Sequence, residues 1–182
     1  MRGKLNRKGM VFLAVLLLFS INAFAQAPKQ KMFRSSQLAI AFPIPSNWTS
    51  EPCGGVGEPT KCVQFREGKS ADPIVRVEAK GLDLESAIGE HILFERIDGK
   101  WHRTGRVGSS EAESISSNGW TGIYAIANCG ITDSRSGFHP VAGDCLTAII
   151  SNGRRSVVLD TDGTVPADDI LRHSIVHIRF LR

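Results

Sequence analysis

The sequence predicts a single α+β domain behind a short export segment, and three observations carry that expectation. Lys61 to Arg66 and Pro73 to Ala79 alternate apolar and polar residues, the period of half-buried strands. Cys145 to Ser151 and Arg155 to Asp160 flank Asn152-Gly153, a strong two-residue hairpin signal. Apolar residues at helical spacing follow Asp83 and again follow Asp160-Thr161-Asp162-Gly163.

Residues 1–25 read as a signal peptide. Arg2, Lys4, Arg7 and Lys8 form a basic head, Met10 to Phe19 an apolar run, and Ala23-Phe24-Ala25 a small-x-small cleavage site before Gln26. The apolar run is short for a membrane span, which needs about 20 residues, and Ser20-Ile21-Asn22 interrupts it. Residues 26–36 are expected as a flexible lead-in and residues 37–182 as one domain.

Within that domain Gln37 to Phe42 reads as a strand stopped by Pro43 and Pro45, with Trp48 plugging the core edge. Asp83 is an N-cap for a helix whose face would carry Leu84, Ala87, Ile88, His91 and Ile92, and Asp98-Gly99 ends the unit. Trp120 to Cys129 is β-rich. The last helix starts near Pro166, with Asp168 and Asp169 complementing its positive end. Its buried face would be Ile170, Leu171, Ser174, Ile175 and Ile178, leaving Arg172, His173 and His177 outward.

Charge narrows the partners. Four of the 22 Lys and Arg residues and none of the 18 Asp and Glu precede Gln26, so the mature chain balances at 18 of each sign. That neutrality removes the usual electrostatic reason to expect nucleic acid or an anionic bilayer. No membrane span is expected after cleavage.

Four cysteines in an exported chain imply two disulfides, for which three pairings exist. The local one, Cys53 with Cys62 and Cys129 with Cys145, is preferred because each pair brackets a turn-rich segment. Neither spacing resembles a C-x-x-C redox pair or a zinc ribbon.

Asp169, His173 and His177 stand at i, i+4 and i+8 of the expected last helix, a column able to hold a divalent metal such as zinc. A solvated polar face is the plainer reading and is preferred, with no metal or other cofactor expected. His91 among Leu84, Ile88 and Ile92 reads as a hydrogen-bonded core residue. Lys100-Trp101-His102-Arg103 with Arg106 is a basic and aromatic cluster, flanked by acids and read as mixed surface. Asp160-Thr161-Asp162-Gly163 lacks the later ligands of a calcium loop and reads as a turn. Nucleotide, hydrolase and metalloprotease signatures are missing from the sequence.

Phe42-Pro43-Ile44-Pro45-Ser46-Asn47-Trp48, Gly119-Trp120 and Ile170 to Phe180 together resemble the PsbP-like family. That family includes the extrinsic photosystem II protein, its bacterial relatives and a fungal Ran-binding cousin. The resemblance runs from about Gln37 to Leu181. It implies an α/β/α-type sandwich, an antiparallel sheet flanked by helices, in a docking or accessory protein. It transfers no functional residue, and the disulfide loops are this chain's own elaboration.

The expected function is therefore an exported, non-catalytic binding or accessory protein, periplasmic or secreted, whose partner is another envelope or secreted protein. An immunity or inhibitor protein is one version. Its contact surfaces would be the two disulfide-bounded loops, with Phe138, His139 and Pro140 supplying contact atoms and Trp101 joining them. The alternative is a metal-assisted enzyme using Asp169, His173 and His177.

Overall fold

A computed structural model describes residues 29–54, 61–70, 72–117, 119–130 and 141–182. The expected signal peptide and the contact residues Phe138, His139 and Pro140 lie outside these residues.

The β11 (Val141–Ser151) and β12 (Ser156–Thr161) hairpin is the centre of the molecule. From Cys145 to Asp160 both strands are buried almost without interruption, which requires cover on both faces of their sheet. That sheet has seven antiparallel strands. Beyond β12 lie β5 (Val75–Lys80), β4 (Cys62–Glu67) and β3 (Trp48–Pro52). Beyond β11 lie β10 (Trp120–Gly130) and β9 (Glu113–Ser117).

One face carries β1 (Gln30–Ser35), β2 (Ile40–Pro45) and β13 (Arg179–Phe180) as a small sheet, with α2 (Ala167–His173) and a 3-10 turn (Ile175–His177). The larger core lies here, formed by Leu38, Phe42, Phe65, Leu146, Ile150, Leu159 and their neighbours. Phe33, Phe42 and Phe65 meet edge to face, with centroids 4.9 to 5.7 Å apart. The other face carries α1 (Leu84–Gly89) and the meander β6 (Phe94–Ile97), β7 (Lys100–Thr104) and β8 (Ser109–Glu111). A smaller core of Ala87, Ile88, Phe94, Ala125, Ile149 and Val158 fills that side.

The architecture is thus α+β, with antiparallel sheets flanked by helices and two disulfides, Cys53–Cys62 and Cys129–Cys145. The described residues contain no free cysteine. Each flank pairs one short helix with three strands, so it is more β-rich than a simple α/β/α sandwich. No helix among the described residues is long and apolar enough to cross a membrane.

Several local expectations change. Within the expected lead-in, residues 30–35 form β1, held because Phe33 packs on Phe42 and Phe65. Pro43 and Pro45 lie inside β2 instead of ending it. β13 pairs with β2 only at Ile40 and Ala41, so one edge of β2 is unpaired beyond them and tolerates proline. Asp83 caps α1 as expected, its carboxylate accepting from the Ser86 N–H at 3.0 Å. The helix ends at Gly89, however, and Ile92 is 94 % exposed in the turn beyond. The last helix also stops early: Ser174 leaves helical geometry, and β13 replaces the expected final turn.

Two tight contacts fix the remaining geometry. A Cβ at Gly122 would lie 2.3 Å from the Ile149 carbonyl oxygen, so only glycine lets β10 approach β11 there. Gly163 has a φ of +82° and packs its backbone against the Cys129–Cys145 bridge, where a Cβ would meet Cys129 Sγ at 2.8 Å. The adjacent Asp162 is pushed above the usual carboxylate range by burial, opposed by its hydrogen bonds from Thr164.

The Trp120 indole N–H donates to the Ile178 carbonyl at 2.8 Å, in a buried site that ties the C-terminal segment to the sheet. Trp120→Phe leaves that carbonyl unpaired and is expected to cost about 1–3 kcal/mol in denaturant unfolding. A carboxyl raised in the folded state weakens folding wherever it is ionised. Asp162→Asn is therefore expected to raise stability at neutral pH, with the gain fading as pH falls through the carboxylate range. Unfolding curves of both proteins at neutral and acidic pH check this.

Candidate functional site

A buried to half-buried polar network sits between the central hairpin and the β6–β8 layer. Arg103 on β7 is 5 % exposed, and its Nε–H donates to Thr147 Oγ1 at 2.7 Å. Thr147 in turn donates its hydroxyl proton to Asp160 Oδ1 at 2.6 Å. His91 places Nε2 3.5 Å from Asp160 Oδ2, while its Nδ1 accepts from the Leu93 N–H at 3.3 Å. Nδ1 is therefore an acceptor, and the ring proton sits on Nε2 facing the carboxylate. Burial pulls the Arg103 guanidinium down from its ordinary pKa, and the Asp160 charge opposes that shift.

This network extends a cross-strand polar row. In register across the sheet run Glu51, Gln64, Arg76, Asp160 and Thr147. The Gln64 amide and Arg66 guanidinium both donate to Glu51, which lowers its carboxyl below the usual range. The row begins in solvent at β3 and ends buried at β11.

The expected basic cluster is dispersed by strand alternation. Arg103 points inward, whereas Lys100 pairs with Glu111 at 2.7 Å in solvent. Trp101 is half-buried against the smaller core, with the Arg96 guanidinium 4.7 Å above its ring. Its indole N–H is enclosed without a hydrogen-bond partner among the described residues.

A cleft of about 340 Å³ opens on the opposite face, where α2 crosses the ends of the strands. Strand register builds its base: Gln30 lies opposite Pro45, and Trp48 opposite Glu67. Val165, Ile170 and the edge of Trp48 give it apolar walls. Asp169 and His173, one helical turn apart on α2, both line it. The His173 Nδ1–H donates to the Asp169 carbonyl at 2.9 Å, which leaves Nε2 as an acceptor. His177 is not among its lining residues, because the helix ends at His173 and the 3-10 turn rotates His177 away.

Of the column Asp169, His173 and His177, the cleft thus brings together the first two. Asn47 and Glu67 were missed because strand pairing, not sequence proximity, brings them to α2. The Asn47 amide donates to Glu67 Oε1 at 3.1 Å. Among the described residues no three His, Cys, Asp or Glu side chains converge as a metal-ligand set.

No family model matches the chain, and no curated protein does. A crystal structure from Bacteroides thetaiotaomicron VPI-5482 overlaps it with a TM-score of 0.49 at 13 % identity. That overlap covers 84 % of this chain and 48 % of the other, so this chain spans about half that protein's length. The solution structure of cyanobacterial PsbP (CyanoP) from Synechocystis sp. PCC 6803 overlaps with a TM-score of 0.39 at 10 % identity, covering 82 % and 88 % of the two chains. Neither score reaches one half. The α+β architecture stands on the strand pairing itself, and the PsbP-like family remains a resemblance.

Proposed function

We propose that this chain is an exported, non-catalytic binding protein of the cell envelope, matured by removal of residues 1–25. Its partner is another envelope or secreted protein, in the manner of an immunity protein, inhibitor or accessory subunit. The observation that carries this reading is the closure of the His91–Asp160–Thr147–Arg103 network. Base catalysis needs a lone pair directed at a substrate. His91 spends its lone pair on the Leu93 N–H and its proton on the side facing Asp160. Thr147 uses its hydroxyl as both donor and acceptor inside the same network.

The cysteines support the same reading. All four are bridged, which suits an oxidising compartment and removes thiol nucleophiles. Contact residues Phe138, His139 and Pro140 remain part of this proposal through the sequence alone, and Trp101 contributes through its partly exposed ring.

Host envelope extract passed over the immobilised mature protein is expected to leave one protein bound, co-eluting with this chain at fixed stoichiometry on gel filtration. Thr147→Val is expected to lower the unfolding free energy by about 1–3 kcal/mol by leaving Arg103 without its acceptor, with partner retention unchanged. Multiple turnover of ester, phosphate or glycoside substrates, abolished in folded His91→Ala or His173→Ala, would overturn the proposal.

A further inference from the structure

We propose that the cleft between α2 and the β2–β3 turn receives a basic side chain of the partner protein, an ammonium or guanidinium group on an alkyl stem. The inference rests on the binding reading above and names the chemistry of one contact.

Charge and shape agree on this occupant. Two carboxylates enter the cleft from different elements, Glu67 from the end of β4 and Asp169 from α2. Its lining residues include no lysine or arginine. Elsewhere on the surface Glu51, Glu78, Glu85 and Glu111 each pair with a cation of this chain. Asp169 has no such partner among the described residues, and Glu67 holds only the neutral Asn47 amide. A carboxylate bordered by apolar walls gains most from a cation that also buries its stem.

Further acceptors are available in the same place. His173 Nε2 is free once Nδ1–H is committed to the Asp169 carbonyl. Ser174 is 2 % exposed, lines the cleft, and its hydroxyl makes no hydrogen bond among the described residues. That hydroxyl can donate to or accept from a group that enters the cleft. Pro45, Trp48, Val165 and Ile170 offer the apolar contact that an alkyl stem needs.

The acceptors are spread around a space of about 340 Å³ and do not converge on one point. That spacing suits an organic cation with several N–H donors better than a bare metal ion. The volume lies at the small end of ligand sites, which run from about 300 to 1,000 Å³. One long side chain, and not a whole peptide, matches it.

The test has two arms. In the first, Nα-acetyl-lysine amide and its uncharged norleucine analogue are titrated into the isotope-labelled protein and followed by NMR. The lysine compound is expected to shift Asn47, Trp48, Asp169 and His173, and the norleucine compound to leave them in place. Glu67→Gln with Asp169→Asn should weaken the lysine compound at least about tenfold, since each substitution turns a charge-assisted contact into a neutral one. Equal shifts from norleucine, shifts elsewhere only, or no shifts at all would overturn the inference.

In the second arm the same double variant, its fold verified by an unchanged thermal transition, is compared with the parent in partner retention. Weakened retention is expected, and full retention would overturn the assignment of this cleft to the partner. A parent protein that retains no partner would sink the binding reading itself. The first arm still reports on the cleft in that event, so the two failures are separable.

Discussion

Everything in this molecule follows from a central hairpin that is dry on both sides. β11 and β12 cannot send alternate residues to water, so both alternations must be apolar or internally satisfied. Leu146, Ala148 and Ile150 meet this demand on one face, and Ile149 and Val158 on the other. Thr147, Ser151, Ser156 and Thr161 are buried polar exceptions, and Asp160 is a partly buried one. At Thr147 and Asp160 the covering layer supplies partners, Arg103 from β7 and His91 from the turn before β6. The polar network is thus a requirement of the architecture. It binds the outer layer to the sheet at the point where an apolar contact is missing.

Covering both faces leaves seams where the covering elements end. On the larger-core side α2 is only seven residues long, and it crosses the ends of β3 and β4 before stopping at His173. Ile170 and Ala167 are buried beneath it, whereas Asp169 and His173 overhang the seam. The cleft is therefore a by-product of a short helix laid over a wide sheet. Its acidic character comes from Asp169, placed in the first helical turn where the helix dipole favours negative charge, and from Glu67 at a strand end.

The sequence displays the parts whose cause is local. The central hairpin is legible because Asn152-Gly153 separates two continuous apolar runs, and its register is observed as Ser151 opposite Ser156. The disulfide pairs are legible because each closes a short turn-rich loop. The strands β6 to β9 are not. Glu95, Arg96, Lys100, Ser109 and Ser114 are exposed, so the period-two signal is drowned by polarity on the outward face. α1 misled in the opposite sense: His91 and Ile92 keep helical spacing past the point where the backbone turns away. The cleft was half visible, through Asp169 and His173, because one helix carries both. Glu67 and Asn47 come from strand ends more than 100 residues earlier, and only the fold joins them.

Gly163 gives the Cys129–Cys145 bridge a reach beyond the two strands that it joins. The backbone there lies flush against sulfur, with no space for a methyl group, and the same stretch leads directly into α2. The segment that enters the helix bearing Asp169 and His173 therefore starts from a backbone held against the cystine at Gly163. A side chain at residue 163 would have to lift this stretch off the sulfur, and the displacement would fall on the segment that enters the helix.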